Sequence, residues 1–180
     1  MFRLDPSYVG KVWPPFMWGV TLVAALGCCM GFKEFVWFMS VGYGFAVMCI
    51  GIFHLVFGLL NHSLTLATGV IAALFVIYGY RLGGYILKRE LTNKDYRKKL
   101  ESTGSTKRMP IFVSLFMWAY SMWMYTAQTS ALSYRVMNGA KDNLFVWIGI
   151  LIMVLAICGE ATADKQKSAA KKINPKRFCD

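Results

Sequence analysis

Residues 36–60 read VWFMSVGYGFAVMCIGIFHLVFGLL, a stretch without a single Asp, Glu, Lys or Arg. A helix needs about 20 mainly apolar residues to cross the hydrocarbon core of a membrane, so this stretch is long enough to do so. Backbone groups at an open sheet edge find no hydrogen-bond partners in lipid, and a single span must therefore be helical. The stretch predicts a membrane-spanning α-helix.

Four further apolar blocks accompany this segment, at about 13–32, 64–87, 111–132 and 144–163. The chain of 180 residues is 57% hydrophobic and only 16% charged, whereas about 25% of the residues of a soluble domain are charged. We therefore expect an all-α integral membrane protein, a single membrane domain over residues 1–180 built as a bundle of about five transmembrane helices. Trp13, Trp37 and Trp147 lie near block ends, where an interfacial aromatic belt is expected.

The first three blocks are predicted to pack closely as antiparallel neighbours. The turns near residues 33–35 and 61–63 leave little chain between them. Glycine lets two helix backbones approach each other inside a membrane. The glycines available for such contacts are Gly27 and Gly31, which form a GxxxG pattern, and Gly42, Gly44 and Gly51.

The net charge of +11 is distributed unevenly along the chain. If the five blocks cross the membrane, most of the Lys and Arg residues fall on one side, in Lys33, the loop 88–109 and the tail 164–180. The other side holds Arg3, Lys11, Arg135 and Lys141. Cytosolic segments carry an excess of basic residues, so we expect the loop, the tail and the C-terminus in the cytosol. The charge then serves topology and attraction to membrane lipids, and no nucleic-acid partner is expected.

Patterns that mark common soluble enzymes are missing from the sequence: it has no zincin histidine pattern, Gly-x-Ser-x-Gly elbow, Walker loop or Rossmann GxGxxG. His54 lies inside an apolar block, where a packed histidine is commoner than a metal ligand. The cysteines in the blocks have no metal-ligand or redox spacing. We therefore expect no metal site.

A first polar cluster lies at the end of the third block. Tyr78, Arg81, Tyr85 and Arg89 stand at i, i+3, i+7 and i+11, which puts them on one face of a helix. Arg81 lies inside the apolar block, where a charge is costly unless it pairs, faces a wet cavity or reaches the headgroups. It is thus a functional candidate, with simple extension to the headgroups as the alternative. A transporter or channel is disfavoured, because Arg81 is the only charge well inside a block.

A second polar cluster follows the fifth block. Glu160, Asp164, Lys167 and Lys171 stand at i, i+4, i+7 and i+11 and also share one helix face. Two carboxylates one turn apart repel each other unless a cation lies between them, and an arginine of the first cluster could be that cation. Carboxylates can accept hydrogen bonds from ribose or amide groups of a nucleotide, while lysines meet its phosphates. A merely solvated helix face is the alternative.

The second cluster belongs to the run GEATADKQK at 159–167, followed by Lys171, Asn174-Pro175 and Phe178-Cys179. The first cluster belongs to YGYR at 78–81, Lys88-Arg89 and DYR at 95–97. The run near the C-terminus resembles a signature of the steroid 5-alpha-reductase-type C-terminal domain family. The earlier segments are similar to another motif of that family, more loosely. The resemblance covers about residues 78–179.

This resemblance implies an all-helical membrane reductase that uses NADPH at the cytosolic ends of its helices. The implied reaction is reduction of a carbon–carbon double bond beside a carbonyl in a lipid-like or steroid-like substrate. By position, Tyr78 would point towards that substrate. The residues that would hold the cofactor are Arg81, Arg89, Glu160, Asp164, Lys167 and Lys171.

Members of that family continue with a Gly-Leu-aromatic segment, an Arg-His-Pro-Asn-Tyr-like motif and further helices, whereas this sequence ends at Asp180. Two interpretations follow. The chain is an incomplete NADPH-dependent reductase, or it is a degenerate, non-catalytic member that serves as a structural transmembrane subunit of a larger complex, for example a mitochondrial respiratory one. The endoplasmic reticulum is the favoured location and the inner mitochondrial membrane the alternative.

Overall fold

The structure, a computed structural model, describes residues 14–102, 104 and 109–174. The predicted start of the first span at Trp13 and the last part of the basic tail, 175–180, lie outside the described residues. Within the described part the regular structure is helical and contains no strand. The predicted all-α membrane fold is thus confirmed.

Seven α-helices follow one another along the described chain: α1 Pro15–Cys28, α2 Val41–Leu60, α3 Leu66–Thr92, α4 Lys94–Ser102, α5 Ile111–Gln128, α6 Ser130–Asn138 and α7 Leu144–Ile173. Two short 3₁₀ turns, Cys29–Phe32 and Phe35–Phe38, connect α1 to α2. Side-chain caps explain two of the helix starts. Thr65 accepts a hydrogen bond from the backbone N–H of Thr68 at 3.3 Å, and Asn143 accepts one from that of Val146 at 3.0 Å.

Four helical segments are long and apolar enough to cross a membrane: Pro15–Phe32, Phe35–Leu60, Leu66–Thr92 and Leu144–Lys171. The helix of the predicted fourth span, α5, has 18 residues but is not among them, since Ser, Tyr, Thr and Gln interrupt its apolar residues. The predicted span 111–132 also does not continue as one helix. It ends at Gln128 and restarts as α6 at Ser130.

The packing of α5 supports a fifth crossing nonetheless. Trp118 donates its indole N–H to the carbonyl oxygen of Ala25 at 3.0 Å, and the ring of Trp123 lies 5.7 Å from that of Trp18. As the chain advances along α5 it therefore moves backwards along α1. Because α1 belongs to one of the four long apolar segments, α5 runs beside it in the opposite direction.

The distribution of charge also favours five crossings. With four crossings, the loop that contains α4 and the tail after α7 would lie on opposite sides of the membrane, with basic residues on both. With five crossings they lie on the same side, as the positive-inside rule requires. We therefore expect single cysteines placed at Glu101 and Gln166 in a cysteine-free background to react with a membrane-impermeant maleimide only after the membrane is opened.

A cysteine at Lys141 is the control and should react in sealed cells or vesicles. Labelling of only one of the two positions, Glu101 or Gln166, in sealed membranes would show that α5 does not cross.

Glycines bring the backbones of the first three spans together. A Cβ on Gly27 would lie 2.5 Å from Cα of Ala46, and one on Gly44 would lie 2.6 Å from Cα of Gly83. On the facing helix, a Cβ on Gly79 would lie 2.5 Å from the backbone nitrogen of Met48. Real side chains do not reach such distances, so these contacts require glycine. The predicted close packing of the first three spans is confirmed.

The same geometry predicts opposite effects for two glycines of α3. Gly79→Ala places a methyl group against the α2 backbone and should lower the free energy of unfolding by about 1–3 kcal/mol, the usual cost of overpacking. Gly84→Ala is the matched control, because a Cβ on Gly84 would have nothing within 4 Å and alanine favours a helix by up to about 1 kcal/mol over glycine. Unfolding by SDS titration in mixed micelles measures both. Equal stability of the two variants would contradict the packing.

By its internal contacts the chain divides into two compact units, Met1–Lys141 and Asp142–Asp180. In the first unit, α1, α2, α3, α5 and α6 pack around a core with large aromatic members, among them Phe16, Phe38 and Tyr125. The described part of the second unit is the single long helix α7 and the residues beside its ends. The first polar cluster lies in the first unit, and the second cluster lies in the second unit.

Candidate polar site at the loop end of α3

The end of the first unit where α3 meets α4 is called the loop end below. It comprises residues 34–37, 85–92 and 94–102. It carries Tyr85 and Arg89 of the first predicted cluster, and α3, which holds all four residues of that cluster, continues without a break from Leu66 to Thr92. The predicted common helix for Tyr78, Arg81 and Arg89 is therefore confirmed. Whether these side chains bind a cofactor stays a prediction.

Tyr78 and Arg81 lie one turn apart on α3 and contact each other. The Arg81 guanidinium carbon is 6.0 Å from the centroid of the Tyr78 ring, within reach of a cation–π contact. The Tyr78 ring in turn meets Tyr43 of α2 edge-on, with ring centroids 6.3 Å apart. The glycine contacts between α2 and α3 make this aromatic contact possible. Arg81 is half-buried.

Arg89 is held by aromatic rings at the loop end. Its guanidinium carbon lies 4.2 Å from the ring centroid of Tyr96 and 5.6 Å from that of Tyr85. It also donates a hydrogen bond to the Tyr96 hydroxyl at 2.9 Å. A guanidinium that lies on aromatic faces has fewer orientations available than one on a free side chain. Arg89 is thus presented in a defined orientation.

Two buried carboxylates at the loop end were not predicted from the sequence. Glu34 is 7% exposed and Glu90 is 3% exposed. Arg97 of α4 donates through Nη1 to Glu34 Oε1 at 2.7 Å, and the indole N–H of Trp37 donates to Glu90 Oε2. The bond to Glu34 raises the pKa of the Arg97 guanidinium above its ordinary value. Arg97 therefore keeps its positive charge at all ordinary pH values.

The predicted belt position of Trp37 is wrong. The residue is 2% exposed, and its indole N–H donates a hydrogen bond to the buried carboxylate of Glu90 instead of facing the membrane interface. Its position near a block end suited a belt, but the 3₁₀ turn Phe35–Phe38 turns the ring inwards. The one sequence signal was the scarcity of acidic residues, nine in the whole chain, which made each glutamate beside an apolar block worth testing.

Removal of the indole donor should destabilise the first unit. Trp37→Phe keeps most of the ring but leaves Glu90 Oε2 without its Trp37 donor, and an unsatisfied buried acceptor costs about 1–3 kcal/mol. The expected result is a lower midpoint of SDS unfolding. Trp147→Phe on α7 is the control, because that ring is 39% exposed. A midpoint for Trp37→Phe equal to that of the control would rule out a contribution from the bond.

The second predicted cluster lies on α7, a single helix of 30 residues. Glu160, Asp164, Lys167 and Lys171 therefore follow one face of it, as the sequence predicted. Glu160, Asp164 and Lys171 are partly buried and Lys167 is exposed. The predicted meeting of this face with the arginines of α3 joins residues of two different units, and it stays a prediction.

His54 is a packed residue of the first unit, as predicted. It is fully buried, and its Nδ1–H donates to the carbonyl oxygen of Ile50 at 2.7 Å. Its Nε2 lies 2.8 Å from the hydroxyl of Ser133 on α6. Through this contact His54 joins α2 to the helix that follows the break at Thr129. Over residues 14–102, 104 and 109–174, no group of three or more His, Cys, Asp or Glu side chains is placed to hold a metal ion.

The family model described as "Protein of unknown function (DUF1295)" matches residues 31–180. The matched region contains every residue of both polar clusters. It also contains the two buried carboxylates and their partners, Glu34, Trp37, Glu90 and Arg97. No curated protein and no solved structure matches the chain significantly.

Proposed function

The chain belongs to the family of unknown function DUF1295, and from this membership and the motifs on α3 and α7 we propose that it is part of a membrane-embedded, NADPH-dependent reductase. The proposed reaction reduces a carbon–carbon double bond beside a carbonyl in a lipid-like substrate. The observation that carries the proposal is the polar face of α7. It combines carboxylates and lysines at the spacing of the resembled reductase motif, on an unbroken helix.

The chemistry of the two clusters fits a dinucleotide phosphate. Arg81 and Arg89 supply guanidinium groups, which bind phosphate oxygens through charged hydrogen bonds. Glu160 and Asp164 supply acceptors for ribose hydroxyls or the carboxamide, and Lys167 and Lys171 supply further positive charge.

NADPH would supply a hydride to the carbon β to the carbonyl and leave as NADP+, and the enolate so formed would take a proton from solvent at its α-carbon. The role of this chain in the reaction is to hold the nicotinamide and the substrate away from water, beside an apolar helix bundle. In the proposal Tyr78 faces the substrate and can donate a hydrogen bond from its hydroxyl to the carbonyl oxygen. Such a bond stabilises the negative charge that develops there as the double bond is reduced. The apolar surroundings suit a lipid-like substrate.

Binding of NADPH to the purified protein in nanodiscs tests this proposal. We expect wild-type protein to enhance the fluorescence of NADPH, and Asp164→Ala and Arg81→Ala each to weaken binding by about tenfold or more, the cost of one charged hydrogen bond. Lys165→Ala is the matched control, because Lys165 is an exposed neighbour of Asp164 outside the assigned face. It should change affinity less than twofold.

A second candidate is a non-catalytic transmembrane subunit of a larger membrane complex. It is supported by the apolar side chains of α7, since Leu151, Ile152 and Leu155 are each about 60% exposed and could contact lipid or another subunit. The same experiment separates the two candidates. Absence of NADPH binding by wild-type protein would refute the cofactor role and favour the subunit.

A further inference from the structure

Two polar contacts at the loop end join the α1–α2 connection to α3 and α4. Arg97 on α4 contacts Glu34, and Glu90 on α3 contacts Trp37. Glu34 and Trp37 both belong to the short segment around the 3₁₀ turn Phe35–Phe38. These four residues, Glu34, Trp37, Glu90 and Arg97, are called the clasp below. It fixes one point on α3 and one on α4 to the same short segment.

Burial makes the clasp a firm contact. A carboxylate removed from water must keep its partner, because a buried charge left alone is very costly. Glu34 and Glu90 are both more than nine-tenths buried. Arg97 has a second partner, Glu101, at 3.2 Å, but the Glu101 side chain is 54% exposed. Exposed pairs of this kind contribute little, so Glu34 is the partner that locates Arg97.

Two of the clasp residues, Glu90 and Arg97, are sequence neighbours of Arg89 and Tyr96. Arg89 precedes Glu90, and Tyr96 precedes Arg97. The guanidinium of Arg89 lies on the ring of Tyr96 and bonds to its hydroxyl. When Glu90 and Arg97 are fixed to one segment, Arg89 and Tyr96 are brought together across the α3–α4 connection.

The Arg89 guanidinium is not saturated with hydrogen bonds. Its Nε is buried and has no hydrogen-bond partner among the residues that the structure describes. A guanidinium that is held in a fixed plane suits a bidentate contact to a phosphate.

We propose that the clasp is a positioning device that orients Arg89 on Tyr96 to bind a phosphate group of the dinucleotide. This inference rests on the proposed function. It extends that function to residues that do not contact the cofactor themselves. Glu34, Trp37, Glu90 and Arg97 act through Arg89.

A double-mutant cycle on NADPH affinity tests the coupling. Glu34→Gln keeps the size of the side chain and removes its charge, and we expect affinity to fall by about tenfold. Glu101→Gln is the matched control, because it removes only the exposed partner of the same Arg97, and should change affinity less than twofold. In the background of Arg89→Ala, Glu34→Gln should have almost no further effect.

Additive losses from Glu34→Gln and Arg89→Ala would overturn the proposal, because a general loss of structure does not depend on Arg89. Trp37→Phe breaks the other contact of the clasp and should show the same dependence on Arg89. If the Glu34→Gln protein does not fold, the Trp37→Phe variant tests the coupling of the clasp to Arg89 instead.

A second measurement needs no NADPH. Phenylglyoxal modifies accessible guanidinium groups, and mass spectrometry of the digested protein follows Arg89 alone. We expect Arg89 to react at least about fivefold faster in Glu34→Gln than in wild type, and at the wild-type rate in Glu101→Gln. Equal rates in all three proteins would overturn the positioning role.

The two measurements separate the two proposals. If the wild-type protein does not bind NADPH but the reactivity of Arg89 depends on Glu34, the proposed cofactor role fails while the clasp still positions Arg89. If NADPH binds and Arg89 reacts equally in all variants, the cofactor role stands and the clasp proposal fails.

Discussion

The backbones of α2 and α3 touch where Gly44 faces Gly79 and Gly83, with no space for a side-chain carbon on either helix. Helices in lipid gain little from the hydrophobic effect when they associate, so close backbone packing is one of the few forces that hold them in a fixed register. This register places Tyr78 against Tyr43 and points the continuation of α3 towards the α1–α2 connection. The position of every candidate residue on α3 therefore depends on a few glycines that carry no chemistry themselves.

Beyond the apolar spans, the structure combines two kinds of constraint at the loop end. Aromatic faces limit the orientation of Arg89, and buried carboxylates limit the positions of the helices before and after it. Neither constraint would hold alone. A stacked arginine on an unattached helix would move with that helix, and a fixed helix would still leave a long side chain free. The loop that follows the third span consequently begins as a short helix, α4, which carries Tyr96 and Arg97.

The sequence was sufficient for features that follow from length and periodicity. The apolar blocks and the shared helix faces of the polar residues were predictable, because each depends on residues close together along the chain. The glycine contacts were predictable because tight turns make the first three spans neighbours. The contacts of Glu34 and Glu90 were not, because their partners Arg97 and Trp37 are far away in sequence and no pattern links them. The position of Trp37 was predicted wrongly for the same reason, since a tryptophan at a block end looks alike whether it faces headgroups or a buried carboxylate. The helix break near Thr129 also lacked a signal such as proline or glycine.

The continuity of α7 has a consequence for how its polar face can change. A flexible tail would absorb an added or lost residue, but a helix turns by about 100° for each residue. Insertion of one residue between Glu160 and Asp164 would therefore move these two carboxylates onto different sides of the helix while leaving composition and charge almost untouched. For this segment the spacing of residues is as much a part of the site as their identity, and substitutions are easier to accommodate than insertions or deletions.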